Sequence, residues 1–426
     1  MKWARTAVTA TVAMGAAAGL YVALGREDDP DQAPSSAAVV PSAAPTAVTE
    51  VKAPEVKVLE SVEEPLPWVG TWAVAVQPRG RAFARQTLRQ IVHTSIGGTS
   101  ARVRLSNAYG ARPLTVSSVH LARRLTDSAI DPATDQPVTF GGKTSVTIPA
   151  GESAVSDPVA FAVPADSDLA VSVYLPKNTG TSTRHGFAGR HNYIASGDQA
   201  SSADLRGAKT VKSYFFLAGV DVQNAKATGS VVTFGASITD GVASSFNANR
   251  RWPDLLSDRL RASGRTVGVL NTGISGNRFT SDRSGESAAK RFDRDVLQQP
   301  GVRWVIISDD AINDLGHGAS PARLKDELRD LVDRGHDAGI KVICSTLTPF
   351  RGAGYWTQRG EQGRTEINAF IRSGRSGCDA VLDQDRATHD PASPTRFLDK
   401  YDSGDHLHPD SQGMQAIANA VNLRWF

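Results

Sequence analysis

The chain is poor in cysteine, in charge of one sign and in long apolar runs. Only Cys344 and Cys378 occur among its 426 residues. That count excludes a disulfide-stapled scaffold and a cysteine-rich metal centre. Two thiols suffice for one bridge, and both sit near the ends of predicted strands, so a disulfide and two separately buried thiols both stay open. The 47 Lys+Arg stand against 44 Asp+Glu, a formal net charge of +3. No long basic run with interleaved aromatics appears, so nucleic acid is not expected as a partner.

The one long apolar run lies at the amino terminus. Lys2 and Arg5 precede the uncharged stretch Ala7 to Leu24, which is closed by Gly25-Arg26-Glu27-Asp28. This is the order of an export signal. Its length is close to the ~20 residues that span a bilayer, so residues 1–25 fit a cleaved signal peptide and a membrane anchor equally. Either places the protein outside, secreted or anchored at the surface with membrane or cell-wall association. No cysteine lies nearby to carry a lipid. Residues 26–67, rich in Ala, Pro, Val, Ser and acidic residues without a period, read as a flexible linker.

With 40% hydrophobic residues, the rest is long enough to bury more than one core. Residues 68–224 have period two. In "DLAVSVYLP", Leu169, Val171, Val173 and Leu175 share one face, and Ala170, Ser172 and Tyr174 the other. Many short strands with turns between them predict a β-rich accessory domain, a β-sandwich or jelly roll. In residues 229–426, short apolar runs ("SVVTFG", "TVGVLNTG", "VRWVIIS", "IKVICST", "DAVLD") alternate with helical segments. In "PARLKDELRDLVDRGHDAG", Leu324, Leu328, Leu331 and Val332 make one stripe. This predicts an α/β domain with a doubly wound, flavodoxin-like parallel sheet, whose ligand site lies at the carboxyl ends of the strands.

At those ends stand polar residues suited to acyl transfer. "VVTFGASITDG" puts Ser237 just past the first strand of this sheet, where a nucleophile needs a base, an orienting carboxylate and oxyanion donors. Later strand ends offer Gly273 in "NTGISGN", Asn313 in "DDAINDLG", and Asp405 and His408 in "YDSGDHLHPD". Taken singly, Ser237 reads as a helix cap, Asn313 as a turn residue and Gly273 as a tight turn. Their order together points to a site. Asp402 and His406 compete with Asp405 and His408, and the D-x-x-H spacing favours the latter pair. Asp309, Asp310 and Asp314 with His317 lack the rest of a metal ligand set and read as solvated loop carboxylates or helix caps. No metal or cofactor is expected.

With these four blocks in order, residues from about Ser230 to Phe426 resemble the SGNH or GDSL hydrolases. "RWPDLL", "GVLNTGISGNR" and "FDRDVL" resemble secreted actinobacterial members of that family that carry an amino-terminal β-domain. The resemblance implies Ser237 as nucleophile, His408 as general base and then acid, and Asp405 as its orienter. It implies an oxyanion hole from the Ser237 and Gly273 N–H groups and the Asn313 amide. Two positions depart from the family pattern. Ala236 stands where Gly-Asp-Ser has an Asp that braces the nucleophile loop, and Ala311 where a Gly precedes the block Asn. Both are expected to weaken activity, so that Ala236→Asp with Ala311→Gly should raise turnover. The expected function is a serine esterase of small acyl esters, acetylated polysaccharide or short-chain lipid esters. A weakly active or inactive hydrolase fold that binds glycan or serves as a scaffold is the alternative. A paired-carboxylate glycosidase leaves Ser237 and Asn313 without a role.

Overall fold

The alternating segments of the first half pair as antiparallel strands. In this computed structural model, which describes residues Leu66–Phe426, they make two main sheets. The predicted signal or anchor and nearly all of the linker lie outside the described residues. One sheet runs Trp68–Ala73, Leu217–Gln223, Gly98–Ser106 and Ser153–Val155, with Val159–Val163 also on Gly98–Ser106. The other, of seven strands, is centred on Gln86–Thr94, Ser167–Leu175 and Ser118–Thr126. Both sheets feed one core. Val103, Leu105, Val220 and Val222 come from the first, and Leu88, Val119, Val171 and Val173 from the second.

Of the residues that the period-two pattern puts on the second face of Ser167–Leu175, the structure buries Ala170 and Ser172 and leaves Tyr174 half-buried. Ala170 packs with Ile91, Tyr193 and Leu205, and the Ser172 hydroxyl accepts from Nε of Arg89 at 2.9 Å. Arg89 is itself fully buried and donates to the carbonyls of Ser128, Ala200 and Ser202. A short polar side chain at 172 leaves room for that guanidinium, which is why the alternation gives no sign of this burial.

In the second half, β1 (Gly229–Phe234), β2 (Val267–Asn271), β3 (Val302–Ile307), β4 (Lys341–Ser345) and β5 (Ala380–Leu382) form a parallel sheet ordered β2-β1-β3-β4-β5. Alternate residues of each strand feed opposite faces. Val232, Phe234, Leu270, Val305 and Ile307 pack with Leu324, Leu328, Leu331 and Val332 of the helix Pro321–Asp337. On the other face, Val231, Val269 and Ile306 pack with Leu255, Leu256 and Leu260 of Trp252–Ala262 and with Met414 and Ile417 of Ser411–Ala420. A sheet buried on both faces explains why its strands read as unbroken apolar runs. Cys344, at the end of β4, is bonded to Cys378 just before β5, with Cα atoms 5.9 Å apart, which settles the choice left open for the two thiols.

The two halves cluster within one unit. Strand Trp68–Ala73 lies along β2. There Gly70 donates its N–H to the Pro300 carbonyl at 3.0 Å, and Val269 donates to the Ser95 hydroxyl at 3.0 Å.

Candidate active site

The neighbours of β1 lie on opposite sides, β2 and β3, so the sheet order reverses at its carboxyl end and leaves a crevice there. Ser237 occupies that position. It opens a short helix, α1 (Ser237–Asp240), immediately after Gly235 and Ala236. Its side chain meets the loop before the last helix. Ser237 Oγ lies 2.8 Å from Nε2 of His408, and His408 Nδ1 lies 2.6 Å from Oδ2 of Asp405. The structure thus brings together the three residues singled out from two blocks far apart in the sequence. Neutral imidazole with its Nδ1 proton on the carboxylate leaves Nε2 free to accept the serine proton.

Asp405 is set for this by its own loop. Its Oδ1 accepts from the N–H groups of Leu407 and His408 at 2.9 and 2.8 Å. Burial alone raises this carboxyl, but the bonds from the His408 ring and from these N–H groups outweigh it and hold it at about 2. The competing pair also forms, His406 Nδ1 to Asp402 Oδ2 at 2.6 Å, but it stands apart from the serine.

Asn313 lies in the helix Asp310–Leu315, which follows β3. One hydrogen of its amide goes to the Asn277 carbonyl at 2.8 Å, and its Oδ1 accepts from the Tyr355 hydroxyl at 3.0 Å. The second hydrogen on Nδ2 is left for a ligand. Tyr355 had no signal in the sequence, being one of two adjacent aromatics, with Trp356, in a glycine-containing loop. Burial pushes its hydroxyl well above the usual value, with the charges of Asp309 and Asp405 adding, so it stays a donor through neutral pH.

The expected role of Gly273 is contradicted. Its N–H donates to Oδ1 of Asn271 at 3.0 Å and is not available to a ligand. Gly273 is there for packing, since a Cβ at this position would lie 2.4 Å from the Asp240 nitrogen. Three residues on, Gly276 has φ 76° and an N–H with no partner among the described residues. The carbonyl of the next residue, Asn277, is the one that accepts from the Asn313 amide, so Gly276 belongs to the loop that meets Asn313. The motif "NTGISGN" carries both glycines, and only the N–H of the second is without a partner among the described residues.

The three acidic residues after β3 are buried, not solvated. Asp314 accepts from the N–H groups of Phe279 and Thr280 and from the Thr280 hydroxyl. Asp310 faces Arg291 at 3.4 Å, and burial, with Asp309 and Asp314 adding and Arg291 opposing, pushes its carboxyl up to about 7. Arg291 is fully buried. It donates to the carbonyls of Gly235 and Thr272 and to Oδ1 of Asn277, tying the serine turn to the Gly276 loop.

Asp309 serves the serine. Its Oδ1 accepts from the N–H of Ala236 at 3.0 Å and from the Thr239 hydroxyl at 2.6 Å, and its Oδ2 accepts from the N–H of Ile238 at 2.8 Å. The strand-rich half reaches the same short helix from the other end. Asp240 Oδ1 meets Nε2 of the buried His185 at 3.1 Å, while its Oδ2 accepts from the N–H and hydroxyl of Ser275.

Comparison with known proteins adds a family. Residues 233–416 match the model of the GDSL-like Lipase/Acylhydrolase family. No curated protein matches the chain. Among solved structures, the chain is similar to a G-D-S-L family protein from Desulfitobacterium hafniense at 21% identity, over 45% of this chain and 97% of that one, with a TM-score of 0.37. It is also similar to an acetyl xylan esterase from Geobacillus stearothermophilus at 20% identity, over 46% and 93%, with a TM-score of 0.35. The family match begins inside β1 and ends inside the last helix, and so takes in every loop that meets at Ser237; residues 233–416 are a GDSL-like lipase/acylhydrolase domain.

Proposed function

We propose that the protein is a carboxylic ester hydrolase that cleaves small acyl esters through an acyl-enzyme on Ser237. The observation that carries this reading is the continuous relay from Ser237 Oγ through His408 to Asp405, at 2.8 and 2.6 Å. His408 takes the serine proton as Oγ attacks the ester carbonyl, and returns it to the leaving alcohol. Water then adds to the acyl-enzyme by the same route and releases the acid. The oxyanion is held by the N–H groups of Ser237 and Gly276 and by the Asn313 amide, with Tyr355 fixing that amide. Acetyl groups on polysaccharide or short-chain lipid esters suit a serine at the mouth of a crevice; the Geobacillus protein named above is an acetyl xylan esterase. The strand-rich half is a β-sandwich in this reading, supported by the core its two sheets share. Action outside the cell is supported by the Cys344–Cys378 bond and by the export-like first 25 residues.

The test is steady-state hydrolysis of p-nitrophenyl esters of increasing chain length by the parent and by Ser237→Ala. Turnover is expected for the shortest acyl groups and is expected to fall by at least about 10³-fold in the variant. Undiminished turnover by folded Ser237→Ala would sink the reading. A parent inert on every ester would favour the alternative, a hydrolase fold serving as a binding module.

A further inference from the structure

Ala236 is the residue before α1, the position at which Asp ordinarily caps a helix by accepting from the second and third N–H groups. Here those groups, Ile238 and Thr239, turn to a different chain segment. Ile238 donates to Asp309 Oδ2 at 2.8 Å, and Thr239 to Oδ1 at 3.3 Å. Asp309 also takes the Ala236 N–H and the Thr239 hydroxyl. It precedes the helix Asp310–Leu315 yet makes no side-chain bond to it, so its whole bonding capacity is spent on the serine turn. A Cβ on Gly235 would lie 2.4 Å from Asp309 Oδ1, which shows how closely the turn is drawn onto this carboxyl.

We propose that Asp309 is the positioning residue for the Ser237 nucleophile, bracing its turn from the end of the neighbouring strand in place of a carboxylate at position 236. The proposal rests on Ser237 being the nucleophile. It also reverses the expectation for Ala236→Asp. Ala236 is fully buried, so an added carboxyl there competes with Asp309 for the same N–H groups, and the single change slows the enzyme. Moving the carboxyl, by Ala236→Asp with Asp309→Leu, keeps one brace and restores function.

The experiment compares the parent, Asp309→Asn, Asp309→Leu and the double variant Ala236→Asp, Asp309→Leu. Two readouts are taken, ester turnover and amide hydrogen exchange in residues 235–241. Exchange reads the brace with no substrate at all. In Asp309→Asn the amide nitrogen replaces one acceptor, and exchange in this segment is expected to rise. The rate kcat falls about 10- to 100-fold while KM stays within about 2-fold, because the loss is in alignment of the reacting atom. Asp309→Leu loses more, and the double variant recovers to within about 10-fold of the parent. If Asp309→Leu does not fold, Asp309→Asn decides alone. Unchanged exchange in Asp309→Asn overturns the brace, and raised exchange with full turnover overturns the positioning role. A parent inert on all esters, with exchange raised in the variants, leaves the brace standing and removes the esterase reading instead.

Discussion

Gly273 and Gly276 share one loop, yet their N–H groups face different partners. That of Gly273 is bound to Asn271, and that of Gly276 has no partner among the described residues. Alanine should therefore act differently at the two positions. Gly276→Ala keeps the N–H but strains a residue at φ 76°, and its Cβ would lie 2.7 Å from the Ser284 hydroxyl. It is expected to fold and to lose kcat by about 10-fold or more with KM little changed. Gly273→Ala drives a Cβ into the backbone of α1 and is expected to lose folded protein first. Thermal melts with steady-state kinetics separate the two; full turnover in Gly276→Ala would remove it from the oxyanion hole. At this scale the sequence was legible where a residue's chemistry names its role. Ser237, His408 and Asp405 were readable because acyl transfer needs those groups. Tyr355, Arg291 and Asp309 were not, because their work is to hold other residues, and holding depends on contacts between segments far apart in the chain.

The strands and helices of the second half were readable from their periods, and the helix Pro321–Asp337 buries the predicted stripe. Where an element's end meets another element, the reading failed. Ala311, standing where the family pattern has Gly, was expected to weaken activity. It lies within a regular helix, has no positive φ and is packed in the apolar core. Alanine is the better helix former by about 1 kcal/mol, so Ala311 suits this element. The acidic run Asp309, Asp310 and Asp314 read as solvated loop carboxylates or helix caps because charge in a loop usually is one or the other. Its burial follows from the donors that converge on it, the N–H groups of α1 and of Phe279 and Thr280. No local pattern encodes that convergence.

For the whole molecule, the strand-rich half is part of the support of the helix that Ser237 opens. His185, from strand Ser182–His185, is buried between the Ala75 carbonyl and Asp240, which closes α1. Burial and the Arg251 charge lower its pKa, but the Asp240 charge and hydrogen bond and the Ala75 carbonyl outweigh them and raise it. A histidine whose folded pKa is raised adds stability that is fully present below its unfolded value of about 6.5 and is lost as pH rises through the folded value. The parent should therefore exceed His185→Gln in Tm most at pH 6 and by progressively less as pH is raised. A difference constant from pH 6 to 9 would show that His185 is held neutral.

The central claim is that Ser237 is a nucleophile activated by His408, and a serine-directed fluorophosphonate tests it most directly. Phosphonylated protein is digested and the adduct is located by mass spectrometry. The account predicts one adduct, on Ser237, formed by the folded parent, slowed severely in His408→Ala and little changed in His406→Ala. No adduct on folded parent, an adduct on another serine, or dependence on His406 in place of His408 would contradict it.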